Sequence, residues 1–346
     1  MVRFPRPTWR RLLLLLAPPL ARAPSQDSTF LVKGPGIQAR EAGLAAAAEG
    51  RFADAVPLLE RAARAPPTVT PRERAAAAGT ENSLGGALKN LGRHDEALAA
   101  YGRALSLLSG LDGVAAVDAA VVQSNAGAAL AEAGRAEEAE SRYNRALAAL
   151  DALEDADDDA ADDGRHRADV LNNLADLRHG AGRLDEARAL HERALALREE
   201  ALGPRHAELA GSLNNVAVLL MDLRRHDEAV PLLKRAVRIS REAAGRKHPR
   251  HATALTNLAS ALMKLRRAAE AKPHLERALA INTEALGEGH ASTRGAADSL
   301  QTCRAALDVE AGHAEPTEAE LDQPKGASSK RSSGRKTRRR TPRSES

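Results

Sequence analysis

The sequence predicts an all-α solenoid of about six helix–turn–helix units, closed by a C-terminal capping helix. A triplet of small residues recurs six times: the second member lies 12 positions after the first, and the third lies 7 positions further on. Successive triplets are offset by 42 residues, except for an offset of 48 between the third and the fourth. The triplets begin at Gly43, Gly85, Gly127, Ala175, Ala217 and Ala259. A strict internal period of this length indicates stacked supersecondary units, which usually form binding surfaces.

The amino-acid composition favours helices over sheets. Alanine and leucine dominate the chain, and aromatic residues make up only 2% of its 346 residues. Such a composition suits close packing of helices, whereas a sheet would favour β-branched and aromatic side chains. The one cysteine, Cys303, excludes an internal disulfide bond and a cysteine-based metal cluster.

Each unit contains two apolar-periodic stretches that flank a short polar break, which is the predicted turn between two helices. Glycine occupies the break in the first four units and arginine in the last two: Gly50, Gly92, Gly134, Gly182, Arg224 and Arg266. Glycine adopts the left-handed conformation at little cost, so we expect the two arginines to carry some strain. Acidic residues follow most breaks and complement the positive N-terminus of the second helix.

Boundary signals divide the chain into three regions. The sequence Thr70-Pro71-Arg72-Glu73 is a helix start, with a threonine cap, proline in the first turn and glutamate three residues after the threonine. The predicted units lie near 37–64, 72–110, 114–153, 168–201, 208–243 and 250–285, with the capping helix near 291–308. The solenoid therefore spans 37–308, between a leader at 1–36 and a tail at 309–346 that is expected to be disordered.

The leader has features of a targeting segment. Arginines precede the apolar run Leu12–Ala17, and Ala21-Arg22-Ala23 fits a small-x-small cleavage site. The apolar run is too short to span a bilayer as a helix. A cleaved secretory signal, an organellar transit peptide and a plain disordered leader all agree with this pattern. The compartment therefore stays open between the secretory pathway, an organelle and the cytoplasm.

The repeat resembles a known family. Large apolar residues lie four positions after the central alanine of several triplets: Tyr101, Tyr143, Leu233 and Leu275. Together with the small triplets, this pattern resembles the tetratricopeptide repeat. The 42-residue period and the stretch LNNLA at 171–175 resemble the kinesin-light-chain variety. The resemblance covers residues 37–308 and implies a right-handed superhelix in which the first helices line a concave groove.

The resemblance is expected to concern the repeats alone. Kinesin light chains carry a long heptad coiled coil before their repeats. Here the 36 residues before the repeats contain six prolines and show no heptad pattern. The cytoplasm is the compartment that the family resemblance favours.

The groove is the predicted binding site, for an extended peptide segment of a partner protein. An asparagine lies two positions before the first small residue in four units: Asn125, Asn173, Asn215 and Asn257. Each amide offers a donor and an acceptor, so it can bond a peptide backbone whatever the peptide sequence. The family resemblance implies this role for the four positions. The alternative is a polar groove floor in which the amides bond water or neighbouring side chains.

Further groove positions are predicted to contribute charged and hydroxyl groups. They are Asp169, Asp176, Thr253, Ser260 and Lys264. Acidic residues outnumber basic ones along the groove, which favours a peptide with some positive charge. The chain contains no phosphate loop, zinc motif or catalytic triad pattern. The sequence therefore predicts a non-enzymatic protein with no cofactor, metal or small-molecule substrate.

Three histidines recur with the repeat, at His206, His248 and His290. Stacked repeats place equivalent residues about 10 Å apart, too far for one metal ion to be shared. We expect these histidines to fix the turn into each new first helix. Cys303 is expected to be a buried small residue on the closing helix.

Two charged segments allow a different function. The acidic segment 151–163 accounts for the longer offset between units three and four, and it could attract a cation or form a solvated loop. The basic tail 325–346 could be a nuclear-import or nucleic-acid patch, or a solubilising tail. No aromatic residues interleave with its charges, so nucleic-acid binding there would be non-specific phosphate attraction. The alternative function is thus polyanion association through the tail, with the repeats as a spacer.

Overall fold

The computed structural model describes residues 35–64, 70–111, 114–154, 160–310 and 312, and these ranges contain thirteen α-helices and no strand. The helices are α1 (Pro35–Ala48), α2 (Phe52–Ala63), α3 (Pro71–Asn90), α4 (His94–Leu108), α5 (Val114–Glu132), α6 (Ala136–Glu154), α7 (Ala160–Gly180), α8 (Leu184–Leu202), α9 (Leu209–Asp222), α10 (His226–Ala244), α11 (Pro249–Lys264), α12 (Ala268–Leu286) and α13 (Ala291–Glu310). The predicted all-α class is confirmed.

The helices stack as six pairs with α13 at the end. Each unit has a first helix (α1, α3, α5, α7, α9 or α11) and a second helix that follows it. Most neighbouring first helices pack closely on one another (α1 with α3, α3 with α5, α5 with α7 and α9 with α11), and α11 packs in the same way on α13. The helices α7 and α9 are joined by side-chain pairs. Neighbouring second helices make no comparable contact in the described ranges. Because the first helices lie closer together than the second helices, the stack curves and the first helices form its concave side.

The turns inside the units use left-handed backbone conformations, as the breaks in the sequence predict. Gly50, Gly92, Gly134 and Gly182 have φ angles of 75°, 76°, 79° and 75°. Arg224 and Arg266 occupy the same position with φ angles of 63° and 58°. Side chains with a Cβ atom rarely adopt such angles, so the strain expected from the sequence lies at these two arginines.

An arginine follows each of these turn residues and binds an acidic residue at the start of the second helix. In five units Nε and Nη2 both donate to one glutamate: Arg93 to Glu96, Arg135 to Glu138, Arg183 to Glu186, Arg225 to Glu228 and Arg267 to Glu270. These bonds lower the pKa of Glu96, Glu138, Glu228 and Glu270. The pairs are exposed, so they hold the turn geometry more than they add stability.

Side chains also fix the start of several first helices. Thr70 caps α3: its hydroxyl accepts from the Glu73 backbone N–H at 3.2 Å, and the Glu73 carboxylate accepts from the Thr70 backbone N–H at 3.1 Å. The histidines do the same before α9, α11 and α13, where Nδ1 accepts from the N–H two residues later. The donors are Glu208 for His206 (3.4 Å), Arg250 for His248 (3.1 Å) and Ser292 for His290 (3.1 Å). Both predicted helix-start signals are confirmed.

The small residues lie where helices cross. The central alanines Ala55, Ala97, Ala139, Ala187, Ala229 and Ala271 are fully buried. In unit two the ring of Tyr101 lies directly over Gly85, where an added Cβ would be 2.6 Å from Cε1 of the ring. Tyr143 lies over Gly127 at the same distance. Because glycine has no Cβ, a tyrosine ring can pack directly against the first helix in units two and three.

The segment between units three and four differs from expectation. The sequence predicts one acidic loop at 151–163 and a unit boundary near 168, but α6 continues to Glu154 and α7 begins at Ala160. The alanines of this segment account for the difference, because alanine has the highest helix propensity. The buried Arg167 donates to Asp151 at 3.2 Å and thereby joins the two helices. The leader up to residue 34, the segment 155–159 and the basic tail lie outside the described residues.

A buried histidine lies between units five and six. Nδ1 of His251 in α11 is 3.1 Å from the hydroxyl oxygen of Ser240 in α10, and the histidine is 5% exposed. Burial lowers the pKa of His251, and the charges of Arg241, Arg277 and Arg246 lower it further. The unfolded chain therefore binds a proton at this residue in a pH range in which the folded chain does not.

Folding stability should accordingly fall in mild acid. In the unfolded chain the pKa of His251 is about 6.5, and above that pH its neutral form stabilises the fold fully. This stabilisation is lost as the pH falls toward the lower pKa that His251 has in the folded chain. We expect urea unfolding of the full chain to show a declining free energy below about pH 7, and His251→Gln to show a shallower decline. Equal slopes for the His251→Gln and original chains would contradict the assignment.

Candidate peptide-binding groove

The concave side of the solenoid is formed by α1, α3, α5, α7, α9 and α11, and we call it the first-helix face. Side chains of neighbouring first helices bond one another across it. These bonds join residues 43 positions apart, or 49 positions apart between units three and four. Equivalent residues of neighbouring units are 42 positions apart, or 48 between units three and four. Each bond therefore joins a residue to the one that directly follows its equivalent in the next unit. The constant register links the first helices of units two to six into one surface.

Three of the four predicted asparagines take part in these bonds. Asn125 Nδ2 donates to Asn82 Oδ1 at 3.0 Å, and Asn173 Nδ2 donates to the Ser124 hydroxyl at 3.1 Å. Asn257 Nδ2 donates to Asn214 Oδ1 in the same way. We call these bonds the amide rungs. Each rung uses one of the two amide protons, so the half-buried asparagines keep further hydrogen-bonding capacity.

Asn215 is the exception among the four asparagines. Its amide has no hydrogen-bond partner among the described side chains, although Asn172 lies at the position from which a rung would start. The Asn172 oxygen is instead bonded by Nδ1 of His191, at 2.8 Å. His191 is a second-helix residue that is 3% exposed. The amide of Asn215 is half-buried and open to bonding.

A second set of bonds follows the C-terminal ends of the first helices. Lys89 Nζ lies 3.2 Å from Glu132, and His179 Nε2 lies 2.8 Å from Asp222. Arg165 and Glu208 form a similar pair at the opposite end, at 3.0 Å. These side-chain pairs border the amide rungs and hold neighbouring units in the same register.

The remaining predicted groove residues have separate surroundings. Asp169 is bound by Arg198 of α8, which also donates to Ser212 of α9. The hydroxyls of Thr253 and Ser260 donate to carbonyl oxygens of their own helix, at 3.2 and 2.9 Å. Asp176 is exposed, with one carboxylate oxygen 3.5 Å from Nε2 of His191, and Lys264 ends α11. The predicted residues thus share one face but do not converge on one point.

Carboxylates on this face are more accessible than the side chains that pair with them. Glu132 is 37% exposed and Lys89 13%, and Asp222 is 46% exposed and His179 20%. Asp176 is 59% exposed.

Other chemistry is not assembled in the part of the chain that the structure describes. No group of three histidine, cysteine, aspartate or glutamate side chains lies together as metal ligands in the described ranges. Cys303 is buried and donates to the carbonyl oxygen of Ala268 at 3.3 Å, and burial raises the pKa of its thiol. None of the described helices combines the length and apolarity that a membrane span requires.

Sequence reasoning found the donors of the amide rungs but missed the acceptors. Asn82, Ser124 and Asn214 each lie one position before the equivalent of a selected asparagine. The recurring polar doublets, such as 172–173 and 214–215, were a visible signal. Which member of a doublet faces which neighbour depends on the rotation between units, and the sequence does not contain that angle directly.

Sequence profiles of the tetratricopeptide repeat match most of the described chain. One profile matches residues 76–152, 166–242 and 208–284, and a second matches residues 40–111. A comparison with curated protein sequences gives no significant match.

Solved structures with the same arrangement of helices include kinesin-light-chain-like proteins. BtubC (BKLC) from P. vanneervenii is 21% identical, with a TM-score of 0.51 over 71% of this chain and 98% of that chain. A putative kinesin light chain from Podosopora anserina with nearly identical TPR-like repeats is 19% identical, with a TM-score of 0.50 over 63% of this chain and 99% of that chain. Cut9–Hcn1 of the APC/C is 16% identical, with a TM-score of 0.53 over 78% of this chain and 42% of that chain. At these identities the similarity concerns the fold. Together with the profile matches it supports a protein–protein interaction scaffold.

Proposed function

We propose that this chain, which belongs to the tetratricopeptide repeat family, is a non-enzymatic adaptor that binds an extended peptide segment of a partner protein on its first-helix face. The observation that carries the proposal is the column of half-buried asparagine side chains along four consecutive first helices. Their amides offer donors and acceptors at regular intervals, which an extended main chain can match whatever its side chains are.

The shape of the face agrees with such a ligand. The stack curves around its first helices, so an extended chain can contact several units at once. Each contact can be modest, because contacts to successive units add over the length of the peptide. The exposed carboxylates of Glu132, Asp176 and Asp222 favour a peptide that carries positive charge.

The proposal is tested by removing the amides from three units at once. The probe is a peptide selected from a random display library on the full-length protein, then labelled with a fluorophore for anisotropy. We expect the variant Asn173→Ala, Asn215→Ala, Asn257→Ala to weaken its binding at least about tenfold, since each lost hydrogen bond contributes about 0.5–1.5 kcal/mol.

The control variant changes three exposed residues at equivalent positions of the second helices: Asn144→Ala, Glu192→Ala, Lys234→Ala. It should bind the peptide as the original chain does. Circular dichroism should show the same helicity for all three proteins. A groove variant that keeps its helicity and binds the peptide with unchanged affinity would exclude the first-helix face as the binding site.

A further inference from the structure

Between units two and six, one junction lacks an amide rung. Rungs join units two and three, three and four, and five and six. The register predicts a rung between Asn172 of unit four and Asn215 of unit five, and both residues have the required amide. No bond joins them in the structure.

His191 accounts for the missing rung. Its Nδ1–H donates to Oδ1 of Asn172 at 2.8 Å and thereby holds that oxygen toward α8, beneath the face. The position equivalent to His191 is Leu233 in unit five, and leucine has no group that could hold Asn214. Accordingly, Asn214 is not held from beneath and accepts from Asn257. The missing rung thus coincides with a second-helix side chain that holds the acceptor.

We propose that the first-helix face contains a peptide subsite between units four and five, where Asn215 bonds the peptide main chain and Asp176 binds a lysine or arginine side chain. This inference rests on the proposed function of the groove. His191 acts as a positioning residue, because it withholds Asn172 and thereby leaves both sides of the Asn215 amide available to a ligand.

The surroundings of Asn215 determine the ligand chemistry. Asn215 occupies the position that the register pairs with Asn172, and Asp176 follows Asn172 by one helical turn, which places two side chains of a helix about 5–6 Å apart. Asp176 is the most exposed of the carboxylates described on this face, and Asp222 lies next along it. A main chain bonded at Asn215 can therefore direct a neighbouring cationic side chain to Asp176.

Single substitutions in the full-length protein test the subsite, with the library-selected peptide described above as the probe. Asn215→Ala should raise its Kd about tenfold, since two hydrogen bonds to the main chain are lost. Asn257→Ala, one unit later where the amide is already engaged in a rung, should raise Kd by a smaller factor, and Asn144→Ala on a second helix is the control that should leave Kd unchanged. Selected peptides should be enriched in lysine or arginine, and selection on Asp176→Asn should abolish that enrichment.

The role of His191 has its own test. His191→Leu introduces the residue found at the equivalent position of unit five, so the fold should be retained. Asn172 is then released, the rung to Asn215 should form, and Kd should rise about as much as in Asn215→Ala. Adding Asn172→Ala to His191→Leu removes the competing acceptor and should restore binding. The side-chain amide resonances of Asn215 should report the new bond in His191→Leu without any peptide.

The outcomes separate this inference from the proposed function. If the triple asparagine variant loses binding but Asn215→Ala and Asn257→Ala weaken it equally, the subsite is wrong and the groove remains. Unchanged binding in His191→Leu, with no shift of the Asn215 resonances, would also overturn the subsite. If no peptide binds, or the triple variant binds like the original chain, both proposals fail.

Discussion

Replacing Gly85 with alanine should destabilise the protein by about 1–3 kcal/mol, which is the usual effect of overpacking a core. The new Cβ would lie 2.6 Å from Cε1 of Tyr101, a ring that is 1% exposed. The clash should outweigh the gain of about 1 kcal/mol that alanine normally has over glycine inside a helix. Thermal and urea unfolding of the full chain measure the change, and Gly127→Ala should behave alike because of Tyr143.

The neighbouring glycine is the control for this prediction. A Cβ at Gly86 would meet only the Tyr101 hydroxyl, at 4.0 Å, so Gly86→Ala should stabilise α3 by up to about 1 kcal/mol. Adding Tyr101→Leu to Gly85→Ala should recover part of the loss, because alanine faces leucine in units five and six. Similar effects of Gly85→Ala and Gly86→Ala would show that ring contact does not constrain this position.

The double substitution Arg224→Gly, Arg266→Gly should raise the free energy of unfolding by about 2 kcal/mol. Both arginines are exposed and have positive φ angles, 63° and 58°, which cost an L-residue about 1–2 kcal/mol each. Glycine occupies the equivalent turn position in units one to four with φ angles of 75–79°. Urea unfolding of the original and variant chains measures the gain.

The next residue in each turn provides the opposite control. Arg225 and Arg267 have φ angles of −89° and −104° and bind Glu228 and Glu270. Because these φ angles are negative, glycine at these positions removes no backbone strain, and it removes the ion pair. Arg225→Gly, Arg267→Gly should therefore lower the free energy of unfolding. A double variant at Arg224 and Arg266 that is no more stable than the original chain would show that the left-handed backbone at these turns carries no net strain.

Much of the architecture follows from local patterns in the sequence. The small triplets located the helix crossings, the breaks located the left-handed turns, and Thr70 and the repeated histidines located helix starts. Each of these features depends on a few neighbouring residues and a fixed backbone geometry. The loop predicted for the acidic segment 151–163 was partly wrong. The charge of the segment suggested a loop, but its alanines have a high helix propensity, and α6 and α7 extend into it.

The groove was predicted less completely, since its bonds join residues of different units. The sequence indicated which asparagines lie on the first-helix face, but the amide rungs depend on how far one unit is rotated relative to the next. Asn215 illustrates the difference: its own repeat looks like the others, and its amide is unbonded because of His191, a residue of the preceding unit.

The sequence by itself determined the helical class, the number of units and the position of the turns, because a periodic pattern of small and apolar residues requires nothing beyond local packing. Only the tertiary structure decided the one-residue register between first helices, the greater exposure of the carboxylates than of the side chains that pair with them, and the missing rung at Asn172. These properties arise where side chains from three helices meet, and hydrogen bonds form or fail there over distances of less than 1 Å.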